Sequence, residues 1–466
     1  MNKFLLFVFV LVYILLPSCK KDSFIQSSDA RIGFSTDSLQ FDTVFTSTGS
    51  FTQSVKVFNL NDQKLMLSEI KLSGGTQSAF SINVDGSPGP NAQDIEIGAN
   101  DSAYIFVTVN INPTLANLPF VIRDSIEVSF NGNQRWIQLE AWGQNAHFLQ
   151  NDSIRSNTVW TNDIPYVILG SVWVDSNTTL TIQKGSRIYF HADAPLLVDG
   201  TLLVQGEKED SSRVYFLGDR LDAPYNSYPG SWPGIFFRTS SKDNSMEFAV
   251  IRNAYQGVVA QDPASDANPK LILHECIIDN IYQAGILGIQ TSIQARNCLV
   301  TNSGSNVVLG YGGNYLFQHC TVASYSNNYL LHQLPVLSVS NYLSQGSQTF
   351  IGDLNAQFTN CIFWGDSAVV DDEVLVSKQG NSTFLVNFDH CLWRAKQIPG
   401  GIDTSGIILN ADPQFIMINN QKMIYDFRLS AGSPAIDQGI DAGVLIDLDG
   451  NTRPVGLPDL GCYKKQ

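Results

Sequence analysis

Charge is what this sequence has least of. Only 15% of its 466 residues are Asp, Glu, Lys or Arg, against about 25% in an ordinary soluble protein. Basic residues are the scarcer kind, 28 against 43 acidic ones, for a formal charge of -15. Phosphate binding needs clustered Lys and Arg, so this shortage argues against a nucleic-acid partner. Hydrophobic content is an ordinary 44%, which excludes a chain kept disordered by charge. Beyond residue 16 no apolar run is long enough to span a bilayer, which excludes a polytopic membrane protein. Asn, Ser, Thr, Gln and Gly must therefore carry the polar surface.

The one long apolar run stands at the start. Met1-Asn2-Lys3 precedes thirteen uninterrupted apolar residues, Phe4 to Leu16. They match the n-region and h-region of a secretory signal and are too short for a spanning helix. Leu16-Pro17-Ser18-Cys19 follows and resembles the lipobox of bacterial lipoproteins; the alternative is an ordinary signal peptide with an incidental Cys. The resemblance implies that residues 1–18 are a lipoprotein signal peptide and that Cys19 is acylated. Residues 19–30 then form a polar tether, opening on Lys20, Lys21 and Asp22. A Lys directly after the Cys resembles outer-membrane sorting, and the mixed Lys/Asp pattern resembles a surface-export signal. The implied partner is thus a membrane, held through the Cys19 lipid with the chain exposed at the cell surface. Each buried acyl methylene contributes about 0.8 kcal/mol to such an anchor.

Residues 31–145 alternate with period two and break at turn residues every ten or so positions. Phe51 to Phe58, Tyr104 to Val109 and Ile126 to Phe130 read as half-buried strands. Asn131-Gly132-Asn133 is a hairpin signal, with Trp136 to Trp142 as the return strand. Several short strands in about 115 residues suggest an immunoglobulin-like β-sandwich. It resembles the Ig-like modules between anchor and working domain in bacterial surface proteins.

From 146 to 430 the strands shorten to three or four residues between Asn, Asp and Gly corners. Such strands suit a coil that pairs with the coils above and below it. Internal repetition decides the matter. Leu273-His274-Glu275-Cys276-Ile277-Ile278-Asp279-Asn280 recurs around Cys298, Cys320, Cys361 and Cys391, and an earlier copy has Ala249 in the Cys place. The Cys spacings are 22, 22, 41 and 30. The first two are one coil each; the 41 is one coil with an insertion or two coils. In each copy the residue before Cys sits at a corner, which suits Asn because Asn tolerates a left-handed backbone. Cys and the residue two further on face inward, and Asn or Ser four positions on marks the next corner in the first three Cys copies. These residues resemble the right-handed parallel β-helix superfamily, which includes pectate lyases and bacterial surface proteins. The implied fold is all-β, a sandwich followed by a right-handed parallel β-helix of the pectate-lyase kind.

The last segment, 431–466, contains Gly432-Ser433-Pro434-Ala435-Ile436-Asp437, Asp447-Leu448-Asp449-Gly450-Asn451 and Asp459-Leu460-Gly461-Cys462-Tyr463. Their order and spacing resemble the C-terminal pattern of choice-of-anchor Q surface proteins. That resemblance implies a β-helical surface protein and no particular reaction.

The repeat cysteines hold one inward place and should stack as a ladder of small residues; disulfides, or a metal shared with His274, His319 and His390, are the alternatives. Asp371-Asp372-Glu373 is the one carboxylate run in the coil region. It is the candidate acid/base or calcium set, weighed against a solvated loop. Asp447 and Asp449 resemble part of a calcium loop but lack its third acidic position and terminal Glu. An ion pair with Arg453 and Asp459 that closes the last coil is the alternative. Calcium is the one cofactor left open. The Gly-His-Gly segment and paired aspartates of pectinase-type hydrolases are missing. A lyase needs a Lys or Arg base near a carboxylate-bound cation, and basic residues here are scattered singly.

Aromatics give the binding hint. Tyr225, Tyr228 and Trp232 lie in a Pro- and Asn-rich insertion, 219–233, while Tyr311 and Tyr315 flank Gly312-Gly313-Asn314. Tyr325 and Tyr329 bracket a further Asn-rich loop. Rings beside Asn and Asp suit stacking and hydrogen bonding to sugars; the alternative is rings packed under loops. The expected function is a non-catalytic glycan-binding or adhesion surface. A polysaccharide lyase or glycoside hydrolase on the same coil is the second reading, and a purely structural scaffold the third.

Overall fold

The computed structural model describes residues 23–45, 49–112, 120–366, 369–453 and 456–465. Cys19, the signal segment and the start of the tether lie outside the described residues. Among the described residues no helix is long and apolar enough to cross a membrane. The chain forms two compact units, 1–145 and 146–466.

In the first unit the alternating pattern builds two five-stranded sheets around one core. Ile137, Leu139 and Ala141 point inward and are buried, while Trp136 and Trp142 on the same strand are exposed, as a period of two requires. Among the described strands all pairings are antiparallel except one: Asn133–Gln144 runs parallel to Ser38–Phe45. Asn131 and Gly132 both have positive φ, 44° and 79°, the backbone that a tight two-residue hairpin demands.

The second unit is all-β and contains a parallel sheet of 26 strands. Each strand pairs with the equivalent strand one coil later, as in a parallel β-helix. Leu273, Ala295, Phe317, Phe358 and Phe388 are partners in five successive coils. Their side chains stack inward, Phe358 on Phe388 with ring centres 4.6 Å apart. The coil with the 41-residue Cys spacing is a single turn, because Phe317 pairs directly with Phe358. Its extra length lies in loops and in the hairpin Tyr342–Gln345/Gln348–Ile351.

The five repeat cysteines are buried and free. They form a row, in which the Cys361 amide donates to the Cys391 sulfur at 3.4 Å. Burial pushes the thiols of Cys276, Cys320 and Cys391 up. The corner before each sulfur position is left-handed in every copy: Phe248, Glu275, Asn297, His319, Asn360 and His390 have φ between 47° and 56°. Side chain type varies there while the backbone does not, so the turn is enforced by the stacking of neighbouring coils. The second corner is left-handed at Asn253, Asn280 and Asn302.

The closing segment corrects an expectation. It does not seal the last coil; it runs back along the side of the coil stack. The last parallel strand is Ile408–Leu409, and Phe415–Asn419 and Ile424–Leu429 form an antiparallel hairpin after it. Phe427, Leu448, Cys462 and Tyr463 cover Leu299 and Ala323, and Leu429, Ala435 and Leu460 cover Ile362, Trp364 and Leu392. The corner residues grip this strap. Asn360 donates to the Ile440 carbonyl at 2.7 Å and accepts from its amide at 3.0 Å. Asn297 donates to Ile446, and Arg213 reaches the Leu448 carbonyl, each at 2.7 Å. Arg453 braces the strap through Asn297 and the Gly461 carbonyl. It meets Asp459 only at the main-chain oxygen, so no ion pair closes this turn.

Candidate functional site

Three coils and the strap hairpin enclose a cleft of about 430 Å³. Its floor comes from the repeat itself. Arg252, Asp279 and Thr301 each stand three places after the Ala or Cys position, so parallel pairing sets them in one outward row. Arg252 lies 3.4 Å from the Asp279 carboxylate, and the Thr301 hydroxyl donates to it at 2.9 Å. One position further on, the left-handed corners Asn253, Asn280 and Asn302 form a second row. Asn280 donates to Asn253 at 2.8 Å and to the Ser227 carbonyl at 2.9 Å. Asn253 donates to the Asn226 carbonyl at 2.8 Å. These amides tie the 219–233 insertion down as one side of the cleft. The Asn280 side-chain oxygen is buried with no partner among the described residues.

The opposite wall is aromatic. Tyr425 and Phe427 stack 5.9 Å apart on the hairpin, and Tyr329 stands on the rim with Tyr228 edge-on against it at 4.9 Å. Burial, with Asp279 and Asp366 nearby, pushes the Tyr425 phenol up to about 12, so it stays a neutral hydrogen-bonding group. Arg428 is clamped by Asp449 at 2.7 Å and Asp426 at 3.1 Å. Lys422 lines the cleft without an ion pair among the described residues. Hydroxyls and amides opposite a face of rings match the hydroxyl edge and the C–H face of a sugar ring.

The aromatic candidates divide. Tyr225 and Tyr228 are exposed and pack 5.2 Å apart beside the rim. Trp232 is a correction: it is wholly buried, stacks 4.3 Å from Phe190 and donates its indole N–H to the Arg252 carbonyl. Tyr315 is also buried, with its hydroxyl on the Gly312 carbonyl, and lies outside this cleft. Both face inward because in-register stacking turns alternate residues into the coil. Tyr311 occupies a left-handed corner against Phe350, outside the cleft.

The carboxylate run is dispersed. Asp371 pairs with Lys396 at 2.7 Å, both more than half exposed, and Asp372 accepts the Lys396 and Gln397 amides. Glu373 is fully buried between His332 at 3.0 Å and Arg394 at 2.7 Å. None of the three lines the cleft, and they do not converge as an acid/base pair must. Asp389 pairs with its neighbour His390 at 2.8 Å. The Asp447 carboxylate accepts the amides of Asp449, Asn451 and Lys464. Asp449 belongs to Arg428. These two carboxylates therefore brace the strap. Among the described residues no group of three or more His, Cys, Asp or Glu is placed to hold a metal ion.

Arg252, Asp279, Asn280 and Tyr425 were not legible as a site. The shared repeat position was a usable signal for the first two, but the hairpin that faces them was not.

No protein-family model matches this chain, and no curated protein does. Among solved structures it is similar to a family 123 glycoside hydrolase from Clostridium perfringens, at 10% identity and a TM-score of 0.20, over 27% of this chain and 30% of that one. It is also similar to a protein of unknown function from Porphyromonas gingivalis W83, at 8% identity and a TM-score of 0.18, over 27% and 60% of the two chains. The catalytic unit of a GH87 alpha-1,3-glucanase from Streptomyces thermodiastaticus strain HF3-3 matches over 76% and 87%, at 11% identity and a TM-score of 0.25. Scores this low carry no argument about activity.

Proposed function

We propose that this is a glycan-binding surface lipoprotein, anchored in the outer membrane by a lipid on Cys19. Residues 31–145 serve as an Ig-like spacer, and the coil is a right-handed β-helix closed by a choice-of-anchor Q-like strap. The observation that carries the reading is the cleft with its Arg252–Asp279–Thr301 and asparagine rows on one side and Tyr329, Tyr425 and Phe427 on the other. Binding needs no cofactor in this reading. Soluble protein spanning 31–466, applied to an immobilised glycan panel, should bind, and Asp279→Ala with Tyr329→Ala should lose binding to at least one glycan of the panel. Binding retained across the whole panel in this double variant would move the site elsewhere, and binding abolished by a chelator would return calcium to the account.

A glycan-cleaving enzyme is the second reading, because Asp279 and Asp426 line one cleft. Each is already engaged by an arginine, Asp279 with Arg252 at 3.4 Å and Asp426 with Arg428 at 3.1 Å, so neither carboxylate stands free beside the other as the acid/base pair of a hydrolase does. Release of reducing ends or unsaturated sugars from bound polysaccharide, abolished by Asp279→Asn, would establish the enzyme. A chain that neither binds nor cleaves any glycan is a scaffold.

A further inference from the structure

A second hollow, about 620 Å³, lies on other strands of the coil. Its floor is a grid fixed by strand register. Ser292, Asn314 and Asn355 form one row across three coils, and Gln294, Leu316 and Gln357 form the next. The side-chain amides of Gln294 and Asn314 have no hydrogen-bond partner among the described residues. Thr291, buried in the lining, has an unpartnered hydroxyl.

The wall is the loop from Pro263 to Pro269, and it is held firmly. Asn268 donates to Asp243 at 2.8 Å, and Lys242 pairs with Asp266 at 3.3 Å. At its base Lys270 is completely buried, its ammonium donating to the carbonyls of Arg238, Thr239 and Gln261 at 2.9–3.0 Å. Burying an ammonium is unfavourable unless its hydrogen bonds are made, and here that group fixes the loop rather than serving solvent. Such a pre-set wall spares a ligand the entropy of ordering it.

The lining carries Asp266 and Asp353 and no cation. Asp266 is neutralised by Lys242, and Asp353 accepts the Thr383 amide at 2.8 Å. With the chain at -15 overall, an anionic ligand is repelled. Unpaired amides that both donate and accept match a neutral, hydroxyl-rich ligand. We infer that this trough is a second carbohydrate site, for a neutral glycan chain, separate from the cleft beside Tyr329. The inference rests on the glycan reading above. Two sites on one coil stack would bind a long polysaccharide with avidity that neither has alone.

The test uses soluble 31–466 protein with maltohexaose, cellohexaose, laminarihexaose and xylohexaose as neutral probes, and oligogalacturonate as the anionic one. A neutral hexaose should bind, and Asn314→Ala/Gln357→Ala should weaken it about tenfold or more. In an Asp279→Ala/Tyr329→Ala background, which disables the first cleft, a neutral hexaose should still bind, and adding Asn314→Ala/Gln357→Ala should remove that binding. Both variants alter surface groups, and matching thermal unfolding curves would show that they fold. Neutral binding lost in the Asp279/Tyr329 variant and kept in the Asn314/Gln357 variant overturns the second site while the first stands. Oligogalacturonate binding without any neutral hexaose does the same. No binding of any sugar sinks both.

Discussion

The inside and the outside of the same strands obey different rules. Inward, Phe317, Phe358 and Phe388 meet their own equivalents from the next coil, and so do the five cysteines. Outward, Leu299, Ile362 and Leu392 are covered by a strap with no repeat at all, and Arg252 and Asp279, with Thr301 buried beside them, form a cleft floor. A repeat supplies its own packing partner one coil away. A site needs a partner of another kind, here the hairpin 415–429.

This contrast is broken most sharply from the inside. Phe358→Ala, in the middle of the ring stack, should destabilise the second unit by about 4 kcal/mol, through lost burial and the cavity left behind; chemical denaturation reads it. A cost under about 1 kcal/mol would show that the stack is not the core. On the outside, Arg453→Ala should remove the brace among Asn297, Ile446 and Gly461 and cost about 3 kcal/mol. Limited proteolysis should then cut the strap before the coils unfold. If coils and strap are lost in one step, the two are a single cooperative unit.

Acid should act on the outside alone. His319 is buried under the strap beside Arg453, and burial first, then that charge, hold its pKa down to about 3 from an ordinary 6.5. As pH falls below 6.5 the unfolded chain takes up a proton that the folded chain refuses, so stability falls between pH 6.5 and about 3. From pH 6.5 to 5 the loss should be about 2 kcal/mol. His319→Asn, which places at this corner the residue found at Asn297 and Asn360, should remove that slope from the stability profile. The smallest effect belongs to the sulfur row. Cys320→Ala should cost about 1 kcal/mol, because Ala249 already fills the equivalent place. Reductant and chelator should leave the melting curve unchanged; a shift with either would mean that the thiols do more than pack.

Much of the coil was readable because its contacts are periodic. The Cys copies located the inward face, the residue before each located a left-handed corner, and the four-residue offset to Asn280 and Asn302 located the next. Alternation in 31–145 likewise separated Ile137 from Trp136. Trp232 and Tyr315 were read as sugar-stacking candidates, with packing under loops as the alternative, because a ring in an Asn- or Gly-rich stretch looks like a loop residue until register shows which way it points. The closing motif was conspicuous, but its path was not.

What the sequence by itself determined, then, is the repeat: strand, corner and interior follow from residues 22 positions apart that meet their own kind. Only the tertiary structure decided the cleft. Arg252 and Tyr425 are joined by no local pattern, and the hairpin lies against Asp279 because it covers apolar residues on the outside of earlier coils. The scarcity of charge has the same root. Corners stacked one coil above another favour neutral amides, which bond to the next turn without the repulsion that a column of like charges would carry.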